Sequence, residues 1–169
     1  FSVVTRLEVE FARQLFYPGR GRIGPALARV VLVAPSMPGG TLTLALIDLE
    51  SDPLRPRRII ADEAAALFRE AWIGPPPDLV VGDFNMHRGS DSMERVVAAL
   101  LSEPLRHAAS EGGRGYQATW SAEVPLWHID HAWLGPDVAC VRYQTPIAAG
   151  WRHYPQVMWL APRSPAPGG

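Results

Sequence analysis

Asp78-Leu79-Val80-Val81-Gly82-Asp83-Phe84-Asn85 is the segment from which the fold of this chain is read. Leu79, Val80 and Val81 are strand formers, and the run delivers Asp83 and Asn85 to its end, where an alternation of two aims both side chains at one face. A carboxylate and a carboxamide then share one small volume. The carboxylate can orient or deprotonate a water, and the amide N–H can donate to a phosphate oxygen without adding negative charge. Taken alone, the segment reads equally well as a strand that stops at Gly82, with Asp83 capping the next turn.

Two further pieces follow in order. Pro125-Leu-Trp-His-Ile-Asp-His-Ala-Trp-Leu134 reads as a strand with His128 and Asp130 on one face and Trp127, Ile129 and His131 on the other. A carboxylate on a buried strand is costly unless it is paired. Trp151-Arg152-His153-Tyr154-Pro155 offers a partner in His153, because an Asp–His pair fixes the imidazole tautomer and stabilises its charged form. By itself His153 reads as a surface histidine near a strand start.

The ordered triple of Gly-Asp-Phe-Asn, Ile-Asp-His and a His-Tyr-Pro before a terminal apolar strand resembles the endonuclease/exonuclease/phosphatase superfamily. The resemblance runs from about Thr41 to Leu160, and the triple is far more specific than any single motif. It implies an α/β fold, the two-sheet sandwich of the deoxyribonuclease I-like type, with helices on its flanks and its N-terminal strands missing. It also implies a metal-dependent phosphoester hydrolase, whether phosphodiesterase, nuclease or phosphatase, with Mg²⁺ or Mn²⁺ as cofactor and a phosphoester as substrate. In that scheme Asp83 positions or activates the attacking water, Asn85 holds the scissile phosphate, and Asp130 orients His153 against a phosphate oxygen.

Two departures from the family pattern stand out. Its last motif is usually Ser-Asp-His, whereas Arg152 precedes His153 here, so either a cation replaces the family's metal-touching carboxylate or one residue is deleted and Arg152 fills the gap. The family's early strand ending in Asn and later strand ending in a metal-binding Glu have no clear counterpart. The metal ligands are therefore unassigned, and the alternative function is a non-catalytic binding module of the same fold that has lost its metal site. Glu8 and Glu10 share one face of a strand-like stretch and offer a surrogate ligand, although exposed strand carboxylates are commoner.

Other residues border the same chemistry. Met86-His87-Arg88-Gly89-Ser90 follows Asn85 directly, which makes His87 and Arg88 candidate substrate contacts or else part of an ordinary exposed loop, with His128 and Arg152 as further candidates. Asp48 stands in the position of the family's Thr-His-Leu histidine, or equally is a turn former beside Ser51-Asp52-Pro53. Tyr116 and Trp120, in a glycine-rich stretch that reads as a mobile loop, offer rings for stacking. Arg20, Arg22, Arg55, Arg57 and Arg58 can meet phosphate. Yet a net charge of −1 and a pI near 6.6 give no basic nucleic-acid surface, so nucleic acid is a possible partner that charge does not indicate.

Strands are predicted over Val3–Phe11, Ala28–Ala34, Leu42–Leu49, Leu79–Phe84, Leu126–Leu134, Val138–Gln144 and Gln156–Leu160, with Pro35–Gly40 as a hairpin between the second and third. Helices are predicted over Arg57–Trp72, ended by Gly74-Pro-Pro-Pro77, and over Asp91–Leu101, with Asp91 as N-cap and Glu94 completing a capping box. Residues 1–160 then make one domain and 161–169 a disordered tail without large apolar anchors. With 169 residues and 47% hydrophobic content the chain has material for one real core. Cys140 reads as a small buried hydrophobe. No apolar run approaches the roughly 20 residues of a spanning helix, so the expectation is a soluble domain, cytoplasmic or tethered through a preceding region.

Overall fold

The computed structural model describes residues 7–16, 24–102, 104–115, 117–121, 123–124, 126–147, 150 and 152–164. Eight strands and three helices follow one another as β1 (Val9–Phe16), β2 (Ala26–Val33), β3 (Thr41–Asp48), α1 (Arg57–Ala71), β4 (Leu79–Asp83), α2 (Asp91–Val97), β5 (Arg106–His107), α3 (Ala108–Gly112), β6 (Asp130–Leu134), β7 (Val138–Gln144) and β8 (Val157–Pro162). Six strands form one sheet in the order β1-β2-β3-β4-β6-β5, and β7 pairs with β8 in a second. Only the β3–β4 pairing is parallel, because α1 carries the chain back across the sheet between them.

Alternation along the central strands splits the apolar residues between two cores. Ala45, Ile47, Val80 and Trp133 pack against Ile60, Ala64 and Phe68 of α1 and against Met93, Val96 and Val97 of α2. Leu42, Leu44, Leu79, Ala132 and Leu134 point the other way, onto Val138, Cys140 and Tyr143 of the second sheet. The layers are thus helices, six-stranded sheet and two-stranded sheet, which is the mixed two-sheet α/β architecture the sequence predicts. Each fully buried Ile47, Phe68 or Leu27 contributes about 1.5–3 kcal/mol of hydrophobic stabilisation.

Element boundaries differ from expectation for local reasons. Ser90, not Asp91, caps α2, its hydroxyl accepting the Met93 N–H at 3.3 Å, and the helix tightens into turns after Val97. β6 begins at Asp130 rather than Leu126. The backbone before it bonds elsewhere, Trp127 to Trp120 and the Ile129 carbonyl to the Phe84 N–H. The short β5 and α3 carry no sequence signal, since the α3 cap is the imidazole of His107, which accepts the Ala109 N–H. β1 runs over Val9–Phe16, later than predicted, and residues 1–6 lie outside the described set. Glu8 and Glu10 are exposed there.

β8 continues through Ala161 and Pro162, opposite Ala139 and Val138, and the Arg163 N–H bonds the Asp137 carbonyl. The expected tail therefore begins in the sheet, because ladder hydrogen bonds need backbone rather than large side chains; 165–169 lie outside the described residues. Among the described residues no helix is long and apolar enough to cross a membrane.

Candidate active site

Three neighbouring strands put carboxylates side by side. Asp48 of β3 stands opposite Asp83 of β4, and Asp83 stands opposite Asp130 of β6. Each has the alternation of the inter-sheet face, in phase with Leu44, Val81 and Ala132 respectively, so the row sits at the rim where the two sheets open. Gly82 makes the close approach possible. Its φ is +153°, and a Cβ there would stand 1.8 Å from the Ile47 carbonyl oxygen.

Asn85 joins this row by a turn rather than by strand alternation. The strand stops at Asp83, and Asn85 takes a left-handed φ of 49°, a conformation asparagine tolerates better than most residues. Its backbone N–H donates to Asp83 Oδ1 at 2.8 Å, and its side-chain Nδ2 donates to the Leu49 carbonyl at 2.7 Å. One amide N–H is thereby spent on β3, leaving the other N–H and Oδ1 for a ligand.

His153 completes the arrangement. Its Nδ1 donates to Asp130 Oδ2 at 2.8 Å and lies 4.0 Å from Asp83 Oδ2. A carboxylate partner places the proton on Nδ1 and leaves Nε2 as the nitrogen able to meet a ligand. Burial, then the Asp130 carboxylate, pushes the Asp83 carboxyl up to about 7, with the Asn85 N–H and His153 pulling the other way. Asp48 is also raised, by partial burial first and with Asp130 adding to it. The row holds more negative charge than it neutralises.

Ligand atoms of Asp83, Asp130 and His153 lie within 4.8 Å of one another. Mg²⁺ is typically held through one or two carboxylates, with water and substrate oxygens supplying the rest, so Asp83 and Asp130 fit such an ion. The raised Asp83 pKa marks the charge that a cation would balance.

Asp83, Asn85 and His153 open into a cleft of about 760 Å³, into which Arg152 and Trp120 also face. Glu50 lines it as well, a residue to which the sequence drew no attention. Its side chain is 3% exposed and Oε1 pairs with Arg55 at 2.6 Å, while Oε2 is buried without a hydrogen bond. Thr119 is the other residue not anticipated. Its only sequence signal is a small polar residue flanked by Ala118 and Trp120 in an irregular stretch. Tyr116 and Trp151 lie outside the described residues.

Three expected substrate contacts sit elsewhere. His87, Arg88 and His128 line a separate cavity of about 240 Å³; Arg88 donates to Ser110 Oγ, and the His87 ring packs on Trp127. His128 was expected on the Asp130 face, away from His131, but its ring stacks on His131 with centroids 4.7 Å apart. The cause is that strand alternation does not reach back to His128, which precedes β6. With His107 these two make a buried trio. The Ala109 N–H donates to His107 Nδ1 at 3.2 Å, His107 Nε2 donates to His131 Nδ1 at 3.0 Å, and His131 Nε2 donates to the Met86 carbonyl at 2.8 Å. That chain has one consistent set of proton positions, starting from a backbone N–H that can only donate and ending on a carbonyl that can only accept.

A sequence model described as the Endonuclease/Exonuclease/phosphatase family matches residues 2–161. The chain belongs to that family. No curated protein matches its sequence. Solved structures share the family fold. A mannosyl-6-phosphatase from Bacteroides thetaiotaomicron aligns with a TM-score of 0.64 at 14% identity, over 91% of this chain and 66% of that one. An endonuclease/exonuclease/phosphatase from Beutenbergia cavernae gives 0.69 at 16%, over 94% and 46%. The human Nocturnin catalytic domain with bound sulfate gives 0.61 at 14%, over 94% and 61%. The chain thus spans about two-thirds or less of the length of these family members.

Proposed function

We propose that this chain carries the acid–base half of a divalent-metal-dependent phosphoester hydrolase. The observation that carries this reading is the Asp48–Asp83–Asp130 row with His153 bonded to Asp130 at 2.8 Å in an open cleft. Asp83, with a pKa near 7, is matched to take a proton from an attacking water at neutral pH. Asp130 fixes the ring of His153 so that Nε2, when it carries a proton, can donate to a phosphoryl oxygen. Asn85 brings its second amide N–H to the same oxygen set, and the exposed Arg152 adds positive charge at the mouth. Asp130 would contribute an oxygen to Mg²⁺ or Mn²⁺, leaving Asp83 to the water, and the ion when bound would supply Lewis-acid charge to the phosphoryl group.

Substrate class is narrowed only coarsely. One structural neighbour is a mannosyl-6-phosphatase and another carries a sulfate, a tetrahedral anion shaped like phosphate. The net charge of −1 favours a small phosphoester over a long nucleic acid.

The competing function is a binding module of the same fold, favoured by Arg152 beside His153 in the cleft. Hydrolysis of bis(4-nitrophenyl) phosphate by wild type, Asp83→Ala and His153→Ala, with Mn²⁺ and with chelator, separates the two. The hydrolase reading expects a metal-dependent rate that both substitutions abolish. Equal residual rates in every sample would leave only the binding module.

A further inference from the structure

Thr119 is fully buried in a stretch with almost no regular structure; its N–H donates to the Trp127 carbonyl at 2.9 Å, and its two oxygens accept from backbone at or beside the two halves of the acid–base pair. Its Oγ1 accepts the N–H of Ile129 at 3.2 Å and of Asp130 at 3.1 Å. Its carbonyl accepts the N–H of Tyr154, next to His153, at 2.7 Å. Consecutive N–H groups of a regular strand point in opposite directions, so two of them converging on one oxygen means that the chain bends at Ile129–Asp130. A hydroxyl oxygen has two acceptor sites, and this bend uses both.

We propose that Thr119 is a positioning residue that sets the Asp130–His153 hydrogen bond, an inference that rests on the hydrolase reading for its catalytic meaning. Asp130 opens β6, and β5 reaches only Trp133 and Leu134 on that strand's far side, so no neighbouring strand holds Asp130 there. Thr119 takes that place. Its hydroxyl sets the backbone from which the Asp130 carboxylate projects, and its carbonyl sets the backbone that follows His153. One side chain and its own peptide group thereby fix both ends of a bond between residues 23 apart in sequence. Serine keeps every one of these acceptors. Valine keeps the shape and removes the oxygen that two buried N–H groups need.

Proton–nitrogen NMR of the 169-residue chain tests this without any substrate. An imidazole whose Nδ1–H is held by a carboxylate shows a downfield proton and a single tautomer, and Asp130→Asn identifies the resonance by abolishing it. Thr119→Ser is expected to keep the His153 signal, and Thr119→Val to lose it and return the ring to the mixed tautomers of a free imidazole. In the diester assay Thr119→Val should lower kcat about 10- to 100-fold with KM little changed, as expected for a displaced catalytic group. An unaltered His153 signal in folded Thr119→Val overturns the proposal. Should Thr119→Val not fold, Thr119→Ser decides, since loss of the signal despite the retained hydroxyl also overturns it. Absence of the signal in wild type would sink the acid–base pair itself, whereas its presence with no metal-dependent hydrolysis would sink only the hydrolase reading.

Discussion

Asp130 and His131 are adjacent in β6, and alternation sends one to the rim between the sheets and the other into the helix-side core beside Phe84. Around Asp130 stand the carboxylates of Asp83 and Asp48, like charges at an open cleft for which His153 is the nearest partner. Around His131 stand His107 and His128, all buried and held neutral, the first two in a closed line of hydrogen bonds from the Ala109 N–H to the Met86 carbonyl. Both groups have the residue types of a metal or catalytic centre. They differ in whether their donors and acceptors are already spent. An unspent, charge-frustrated group is open to a ligand, whereas a spent one has the make-up of a polar core.

The largest expected effect separates the two groups by rate. Asp83→Ala and His153→Ala should each reduce metal-dependent hydrolysis by about 10²- to 10⁴-fold while urea midpoints change little. A His131→Ala protein with an equal loss per folded molecule would erase the distinction.

Acid should then act on the two groups with opposite sign. Burial lowers His107 to about 2, His131 to about 3 and His128 to about 4, so below 6.5 the unfolded chain binds protons that the folded chain does not. Stability falls with pH there, by up to about 1.4 kcal/mol per pH unit for each histidine. Asp83, raised to about 7, contributes stability that is complete below 3.8 and lost as pH climbs through 7. Denaturant midpoints from pH 4 to 8 should show a net acid loss that His131→Gln reduces, and a profile flat across that range would contradict the neutral trio.

Smaller effects sharpen the same contrast. His131→Ala deletes a buried ring with two hydrogen bonds and should cost about 2–4 kcal/mol of unfolding free energy. Asp83→Asn should instead stabilise by about 1–3 kcal/mol at pH 8, because it removes a partly buried charge beside like charges, at the expense of activity. Calorimetry showing Asp83→Asn to be destabilising would mean that the carboxylate row is better balanced than its surroundings indicate. The smallest expected signal belongs to soft metals. Co²⁺ should give no intense tetrahedral absorption, since binding at His107 would require breaking its bond from Ala109. Such a spectrum, lost in His131→Ala, would turn the polar core into a metal site.

The apolar runs from Leu42 to Ile47 and from Leu79 to Val81, each ended by polar or turn-forming residues, carry enough information to place both strands, because strand formers and their terminators are local signals. Local signals likewise mark Asp83 as the end of a strand, and the helical spacing of Ile60, Ala64, Leu67 and Ala71 marks α1. Where partners lie far apart in sequence the rule falls silent. Strand order put Asp48 and Asp130 beside Asp83, a left-handed turn brought Asn85 round, and the bend at Ile129–Asp130, bonded by the Thr119 hydroxyl, leads into the residue that meets His153. His128 left its predicted face because it precedes β6, beyond the reach of strand alternation, and Glu50 entered the cleft at the turn after β3. The sequence by itself determined which residues are candidates for the chemistry and the layers that bury the rest. Only the tertiary structure decided which of them meet and which are already satisfied, since register and hydrogen-bond partnership depend on pairings between strands that no local pattern records.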